Sequence, residues 1–170
     1  MQSAPPSFRY HLDPILTGSV VNSSDECERC GQARGLIYSG PIYAVDEVEF
    51  ICPWCIADGS AAREFSAEFT TVDGAPSDIP RAVLDEVLHR TPGFAGWQQE
   101  RWLFHCSDAT AYLGRVGYGD IADLPSVIQA LAVDGWDSGS LQHLSVDGDL
   151  TGYLFRCRHC EAKLAYADAS

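Results

Sequence analysis

The side chains of this sequence that are best suited to chemistry belong to its seven cysteines. Six of them form three Cys-x-x-Cys pairs and one stands alone: Cys27 with Cys30, Cys52 with Cys55, Cys157 with Cys160, and the single Cys106. A Cys-x-x-Cys turn directs both sulfurs toward one point, so each pair can supply two corners of a tetrahedral zinc site. The first two pairs are separated by 21 residues, close to the usual spacing in a four-cysteine zinc module. The sequence therefore predicts one structural zinc ion bound by the four cysteines of these two pairs.

Three cysteines lie outside this module: Cys106, Cys157 and Cys160. A tetrahedral site built on them needs a fourth ligand, and His105 is the nearest in the sequence, with His159 and Asp108 as alternatives. In the competing interpretation, the lone cysteine is a small buried apolar side chain and the last pair is a reducible dithiol. A second zinc site, completed by His105, is therefore a hypothesis.

The second pair has a competing interpretation of its own. Cys52-Pro53-Trp54-Cys55 resembles the redox motif of thioredoxins and glutaredoxins, in which a helix N-terminus lowers the pKa of the first thiol. That function does not explain the upstream pair, and the βαβ unit expected before the motif is missing. Iron, as in rubredoxin, is a further alternative, but Ile56 follows the second pair where rubredoxin has glycine, which favours zinc. A thiol–disulfide redox protein is therefore the main alternative function.

Other catalytic patterns are missing from the sequence. It contains no His-Glu-x-x-His motif, no phosphate-binding loop and no Gly-x-Ser-x-Gly motif. Four thiolates would close the first zinc site, so metal-dependent hydrolysis would need water as the fourth ligand of the second site. The missing catalytic motifs argue against an enzyme but do not exclude one. They favour a zinc-stabilised module that binds a protein partner.

Composition restricts the partners and the compartment. The chain has 170 residues, of which 46% are hydrophobic, and 24 acidic residues against 11 Lys and Arg give a net charge of −13. A surface this negative repels phosphate backbones and disfavours nucleic acid as a partner. The sequence contains no apolar stretch long enough for a membrane span and no signal-peptide pattern. It therefore predicts a cytoplasmic protein with reduced thiols, and it does not define an oligomeric state.

Residues 1–70 are expected to form a treble-clef-like zinc lobe. A cysteine knuckle at Cys27 leads into a predicted strand at residues 35–38, which forms a hairpin with a returning strand predicted at residues 42–45, and a further strand is predicted at residues 47–51. The second cysteine pair then begins a predicted helix that extends from residue 56 to residue 65. This order of knuckle, hairpin and helix is that of a treble clef.

Residues 71–170 are expected to form an α+β lobe, after a turn-rich connector at residues 70–80. Five elements are predicted: a helix from Asp78 to Leu88, a strand at residues 101–104, a helix capped by Asp123 that ends near Gly135, and strands at residues 150–155 and 162–167. The third cysteine pair would lie at the tip of the last hairpin as a second knuckle. The predicted fold class is therefore α+β.

Several segments together resemble one family of bacterial proteins. They are residues 8–14 with Thr17 and Gly18, the first knuckle with Gly31, residues 38–43, the block from Cys52 to Ala62, Trp102 with His105 and Cys106, and residues 153–157 with Cys160. The chain resembles the CbrC family, which is named for a colicin-tolerance phenotype and has no reaction attached to it. The resemblance implies a role in stress or toxin tolerance. Two positions depart from the expected pattern: Leu12 replaces a proline, and Glu161 occupies a position where many knuckles have glycine.

Overall fold

The computed structural model of this protein describes residues 4–170, and the predicted α+β class is confirmed. Within the described residues the strands are β1 (Val20–Asn22), β2 (Leu36–Tyr38), β3 (Phe104–His105), β4 (Asp108–Ala109), β5 (Ala111–Val116), β6 (Leu150–Arg156) and β7 (Lys163–Ala169). The helices in this part of the chain are α1 (Pro53–Ala57), α2 (Ser60–Phe65), α3 (Arg81–Arg90), α4 (Tyr118–Ile121), α5 (Pro125–Val133) and α6 (Ser138–Leu141). None of the helices within residues 4–170 is long and apolar enough to cross a membrane.

The largest sheet is antiparallel and has the strand order β5-β6-β7. Aromatic residues are directly opposite each other along it, with Tyr112 beside Phe155 and Tyr153 beside Tyr166. These rings are buried, and Tyr153 stacks on Tyr166 with a centroid distance of 4.8 Å. Such cross-strand aromatic pairs fix the register of the sheet. The predicted strands at residues 150–155 and 162–167 are confirmed as β6 and β7, and the third cysteine pair lies in the turn between them.

The buried apolar side chains form three groups. The first lies within residues 8–69 and contains three of the first four cysteines together with Ile51, Ile56 and Phe69. The second surrounds Phe94 and Trp102, and the third packs α5 against the sheet through Val127 and Leu131. The first cysteine module therefore lies inside a core made by the N-terminal part of the chain.

The helix predicted over residues 56–65 is two helices, α1 and α2, with a break at Gly59. The backbone of Gly59 is left-handed, with φ +71°. A Cβ atom there would lie 3.0 Å from a guanidinium nitrogen of Arg63 and 3.2 Å from the side chain of Arg90. Only glycine adopts this conformation at little cost, so the residue turns the chain between the two short helices.

The strands predicted at residues 42–45 and 47–51 do not form. Tyr43 makes only an isolated bridge to Glu68, and residues 44–50 contain no strand. Strand β2 instead pairs with β1, and the N–H groups of Glu49 and Phe50 are bonded to the Glu28 carboxylate at 2.8 Å. The segment is thus held against the first knuckle by the Glu28 side chain and by the N–H of Glu28, which donates to the Phe50 carbonyl at 2.8 Å, and not by a partner strand.

Two further expectations in the second half of the chain are wrong. Residues 101–103 are not a strand, because β3 begins only at Phe104 and pairs with β4 in a very short hairpin. Asp123 does not cap α5, whose first turn begins with Leu124 at the N-cap and Pro125 at the first helical position. The helix itself is confirmed, and so is the helix predicted from Asp78, which begins at Arg81.

Candidate metal centres

The first two cysteine pairs meet in space. Cys27 and Cys30 lie in a turn after β1, Cys52 is the N-cap residue of α1, and Cys55 lies within that helix. Their four sulfurs are all within 4.8 Å of one another, and Cys30 Sγ is 3.9 Å from Cys52 Sγ. We call this group the first cluster; it is made of the four cysteines that the sequence assigned to one module. Three of the four are buried and Cys30 is partly exposed.

Backbone geometry holds the first knuckle in shape. The N–H of Gly31 donates to the carbonyl of Cys27 at 2.7 Å, and Gly31 has φ +64°, a left-handed conformation that suits glycine. The N–H of Cys52 donates to Cys27 Sγ at 3.3 Å, which links the knuckle to the start of α1. Backbone N–H groups directed at sulfur are typical of Cys-x-x-Cys turns that stabilise thiolate charge.

Hydrogen bonding and burial shift the pKa values of the first-cluster cysteines in opposite directions. The thiol of Cys52 and nearby backbone N–H groups lower the pKa of Cys27, whereas Cys27 and burial raise the pKa of Cys52 well above its usual range. Burial also raises the pKa of Cys55, to about 11. Cys52 has no exposed surface. A nucleophilic thiol needs access to its substrate, so the buried Cys52 lacks this property of a redox nucleophile.

The last three cysteines meet His105 in a second cluster. Two hairpins supply its donors: His105 ends β3 and Cys106 lies in the β3–β4 turn, and the β6–β7 turn carries Cys157 and Cys160. All four donor atoms lie within 4.8 Å of one another. The Sγ atoms of Cys106 and Cys160 are 3.8 Å apart, and His105 Nδ1 is 3.2 Å and 3.4 Å from them, respectively.

Unusual backbone conformations mark both turns of the second cluster. Cys106 and Ser107 have φ +52° and +53°, so the two-residue turn between β3 and β4 is left-handed at both positions without a glycine. Glu161 has φ +62°, the conformation that Gly31 adopts in the first knuckle. A left-handed non-glycine residue costs about 1–2 kcal/mol, and such strain is concentrated at functional sites. Glu161, which stands where many knuckles have glycine, thus has a strained backbone.

His159, the alternative fourth ligand, is bound elsewhere. Its Nε2 lies 2.8 Å from the carboxylate of Asp108, which also accepts from Arg158 at 2.9 Å and from the Tyr10 hydroxyl at 2.7 Å. Burial works against ionisation of Asp108, but the Tyr10 and His159 hydrogen bonds outweigh it and lower the carboxylate pKa. Asp108 therefore fastens the second knuckle to the N-terminal segment. Sequence reasoning missed this role, because Tyr10, Asp108 and the adjacent Arg158 and His159 are far apart along the chain.

The two clusters differ most in solvent exposure. In the second cluster Cys106 and Cys160 are exposed, His105 is partly exposed and only Cys157 is buried. The S–H of Cys106 donates to Cys160, which raises the pKa of Cys106 to about 11. Burial works against ionisation of Cys157, but the N–H groups of Cys160 and His159 outweigh it and lower its pKa to about 6.

Fold and donor sets together define an α+β protein with two separate cysteine-rich groups that could each hold a metal ion. A family described as "Uncharacterised protein family (UPF0167)" matches residues 5–169, and the chain belongs to that family.

Relatives of similar length occur in several bacteria. The chain is 50% identical to UPF0167 proteins of Mycobacterium bovis and Mycobacterium tuberculosis, over 96% of this chain and 92% of each relative. It is 41% identical to a UPF0167 protein of Pseudomonas aeruginosa, over 91% of this chain and 92% of that protein. No solved structure matches it.

Proposed function

We propose that this protein binds two structural zinc ions, one in each cluster. The observation that carries the proposal is the spacing of the donor atoms. Zn–S bonds of about 2.3 Å in a tetrahedron separate two ligand sulfurs by roughly 3.8 Å. The sulfur pairs Cys30–Cys52 and Cys106–Cys160 lie 3.9 Å and 3.8 Å apart. Thiolate and imidazole donors in a set of four are the ligands of structural zinc, which supplies folding energy.

The donor count also argues against catalysis at either cluster. Catalytic zinc sites have three protein ligands and keep one position for water, whereas each cluster here offers four protein donors. The buried Cys52 does not support the redox alternative. We infer that the metal ions fold and connect surface segments, and that the protein acts without catalysing a reaction.

We also propose that this protein binds a protein partner, and its exposed apolar residues support this role. Four large apolar side chains within ten residues of one another are exposed: Leu12, Ile15, Leu16 and Val21, with Leu16 exposed by 81%. Exposed apolar residues at such density favour contact with another protein. The resemblance to the CbrC family gives this role its context, which is tolerance of a toxin or stress in the bacterial cytoplasm.

X-ray absorption spectroscopy of the zinc-loaded protein tests the metal proposal. We expect two zinc ions per chain with seven sulfur ligands and one nitrogen ligand in total, and no oxygen ligand. His105→Ala should remove the nitrogen contribution, whereas the matched variant His159→Ala should keep it, because His159 is bound to Asp108. Loss of the nitrogen signal in His159→Ala, or an oxygen ligand in the parent protein, would contradict the assignment.

The interaction proposal needs a separate test. Proteins crosslinked to the chain in its native host should be lost when Leu16 is replaced by Asp. Val133→Asp is the matched control, because Val133 is also strongly exposed, by 82%, and lies at the end of α5, outside residues 12–21 of the sequence. Equal crosslinking by both variants would show that residues 12–21 do not bind the partner.

A further inference from the structure

We propose that Cys106 and Cys160 are a site of oxidative modification, at which hydrogen peroxide forms a disulfide and releases the zinc ion of the second cluster. The inference rests on the proposed zinc binding and adds a reactivity that only one of the two clusters has. The two sulfurs come from different hairpin turns and lie 3.8 Å apart, so a short movement brings them to a disulfide length of about 2.05 Å.

Solvent exposure, not sulfur spacing, distinguishes the two clusters. The corresponding sulfurs of the first cluster, Cys30 and Cys52, are 3.9 Å apart, which is nearly the same distance. Cys52 has no exposed surface, whereas Cys106 and Cys160 are both exposed. Thiolate reactivity toward oxidants requires access as well as ionisation, and zinc keeps its cysteine ligands ionised. Peroxide can therefore reach a pair of thiolates in the second cluster alone.

The reaction consumes one peroxide molecule per site. One exposed thiolate attacks a peroxide oxygen, so that an S–O bond forms, the O–O bond breaks and hydroxide leaves, giving a sulfenic acid. The second thiolate attacks this sulfur, so that the S–S bond forms, the S–O bond breaks and a second hydroxide leaves. Two thiolates lose two electrons and peroxide gains them. Only His105 and the buried Cys157 then remain as donors, too few to retain zinc, and a dithiol can reverse the oxidation.

The test treats zinc-loaded, full-length protein with peroxide and follows released zinc with a chromogenic chelator. We expect one of the two zinc ions to leave at least tenfold faster than the other, and peptide mapping to find the Cys106–Cys160 disulfide. Cys106→His keeps four donors but removes one sulfur, so its second site should retain zinc under peroxide. The matched variant Cys30→His should leave release from the second site unchanged.

Each outcome bears on one of the two proposals. Protein that binds no zinc before oxidation would overturn the proposed function itself. Protein that holds two zinc ions but loses them at equal rates would overturn this inference alone, and so would a first-formed disulfide within the first cluster. Release accompanied by sulfinic acid at Cys106, with no disulfide, would overturn it as well. Zinc release from Cys106→His at the rate of the parent protein would also overturn this inference.

Discussion

Glu161 and Gly31 occupy the same position in the two knuckles, directly after the second cysteine, and both have a left-handed backbone. For a residue with a Cβ atom this conformation costs about 1–2 kcal/mol. Glycine avoids that cost, but it also raises the entropy of the unfolded chain, which offsets part of the gain in stability. We therefore expect Glu161→Gly to raise the free energy of unfolding by about 0.5–1 kcal/mol, measured by chemical denaturation of zinc-loaded protein. Gly31→Ala is the control and should lower the same quantity; an unchanged or lower stability of Glu161→Gly would contradict the account.

His11 makes the stability of the protein depend on pH. It is fully buried; its Nδ1 donates to the Pro92 carbonyl at 2.7 Å, and Nε2 lies 2.7 Å from the Thr17 hydroxyl. Burial lowers the pKa of His11 to about 4, from the usual 6.5 of an unfolded chain. Between these values the unfolded state binds more protons than the folded state, so stability is lost as the pH falls from 6.5 toward 4.

The loss in free energy of unfolding attributable to His11 across this pH range is on the order of 3 kcal/mol. Histidine titration by NMR should give the ring of His11 a pKa below 5 in the folded protein. The denaturation midpoint of His11→Gln should depend less on pH over the same range than that of the parent. A folded-state pKa near 6.5 for His11 would refute the prediction. Zinc content must be followed in parallel, because acid also protonates cysteine ligands.

At the scale of elements, Asp108 connects β4, the second knuckle and the N-terminal segment through its bonds to Arg158, His159 and Tyr10. Asp108→Asn removes the charge on which these bonds depend and should lower the free energy of unfolding by about 1–3 kcal/mol. Groups that orient a metal-binding loop also affect affinity, so zinc should bind the second cluster about tenfold more weakly, with the first cluster unchanged.

Calorimetric zinc titration and chemical denaturation of Asp108→Asn measure these two effects. Asp123→Asn is the matched control, because Asp123 is exposed and does not cap α5. Its stability should stay within about 0.5 kcal/mol of the parent. A zinc affinity of the second cluster equal to that of the parent protein would show that the second knuckle does not depend on this carboxylate.

The elements that sequence predicted correctly are those whose signal is local. Strands β6 and β7 alternate around a turn, and α3 and α5 have helical spacing of apolar residues. The segment at residues 47–51 also alternates, but its N–H groups bond to the side chain of Glu28, a partner that no local pattern reveals. Strand β5 was missed, because Gly114 and a register shift interrupt its pattern.

For the whole molecule, the cysteine spacing predicted which residues meet but not what surrounds them. The first cluster follows from two pairs close in the chain, and the structure brings its four sulfurs together. In the second cluster, Cys106 and Cys160 are 54 positions apart and meet because two hairpins pack side by side. The exposure of Cys106 and Cys160 depends on that packing. The bond between His159 and Asp108 depends on it too, and it leaves His105 as the fourth donor of the second cluster.

The measurement that tests the central claim most directly is zinc content per chain by elemental analysis, combined with thiol counting before and after denaturation. The account predicts two zinc ions per chain, with the full count of seven thiols reached only after unfolding in the presence of a chelator, because the first cluster is shielded in the folded protein. Folded protein with no zinc and freely reacting thiols at Cys106 and Cys160 would contradict it. One zinc ion with these two thiols reactive would limit the claim to the first cluster and contradict the second.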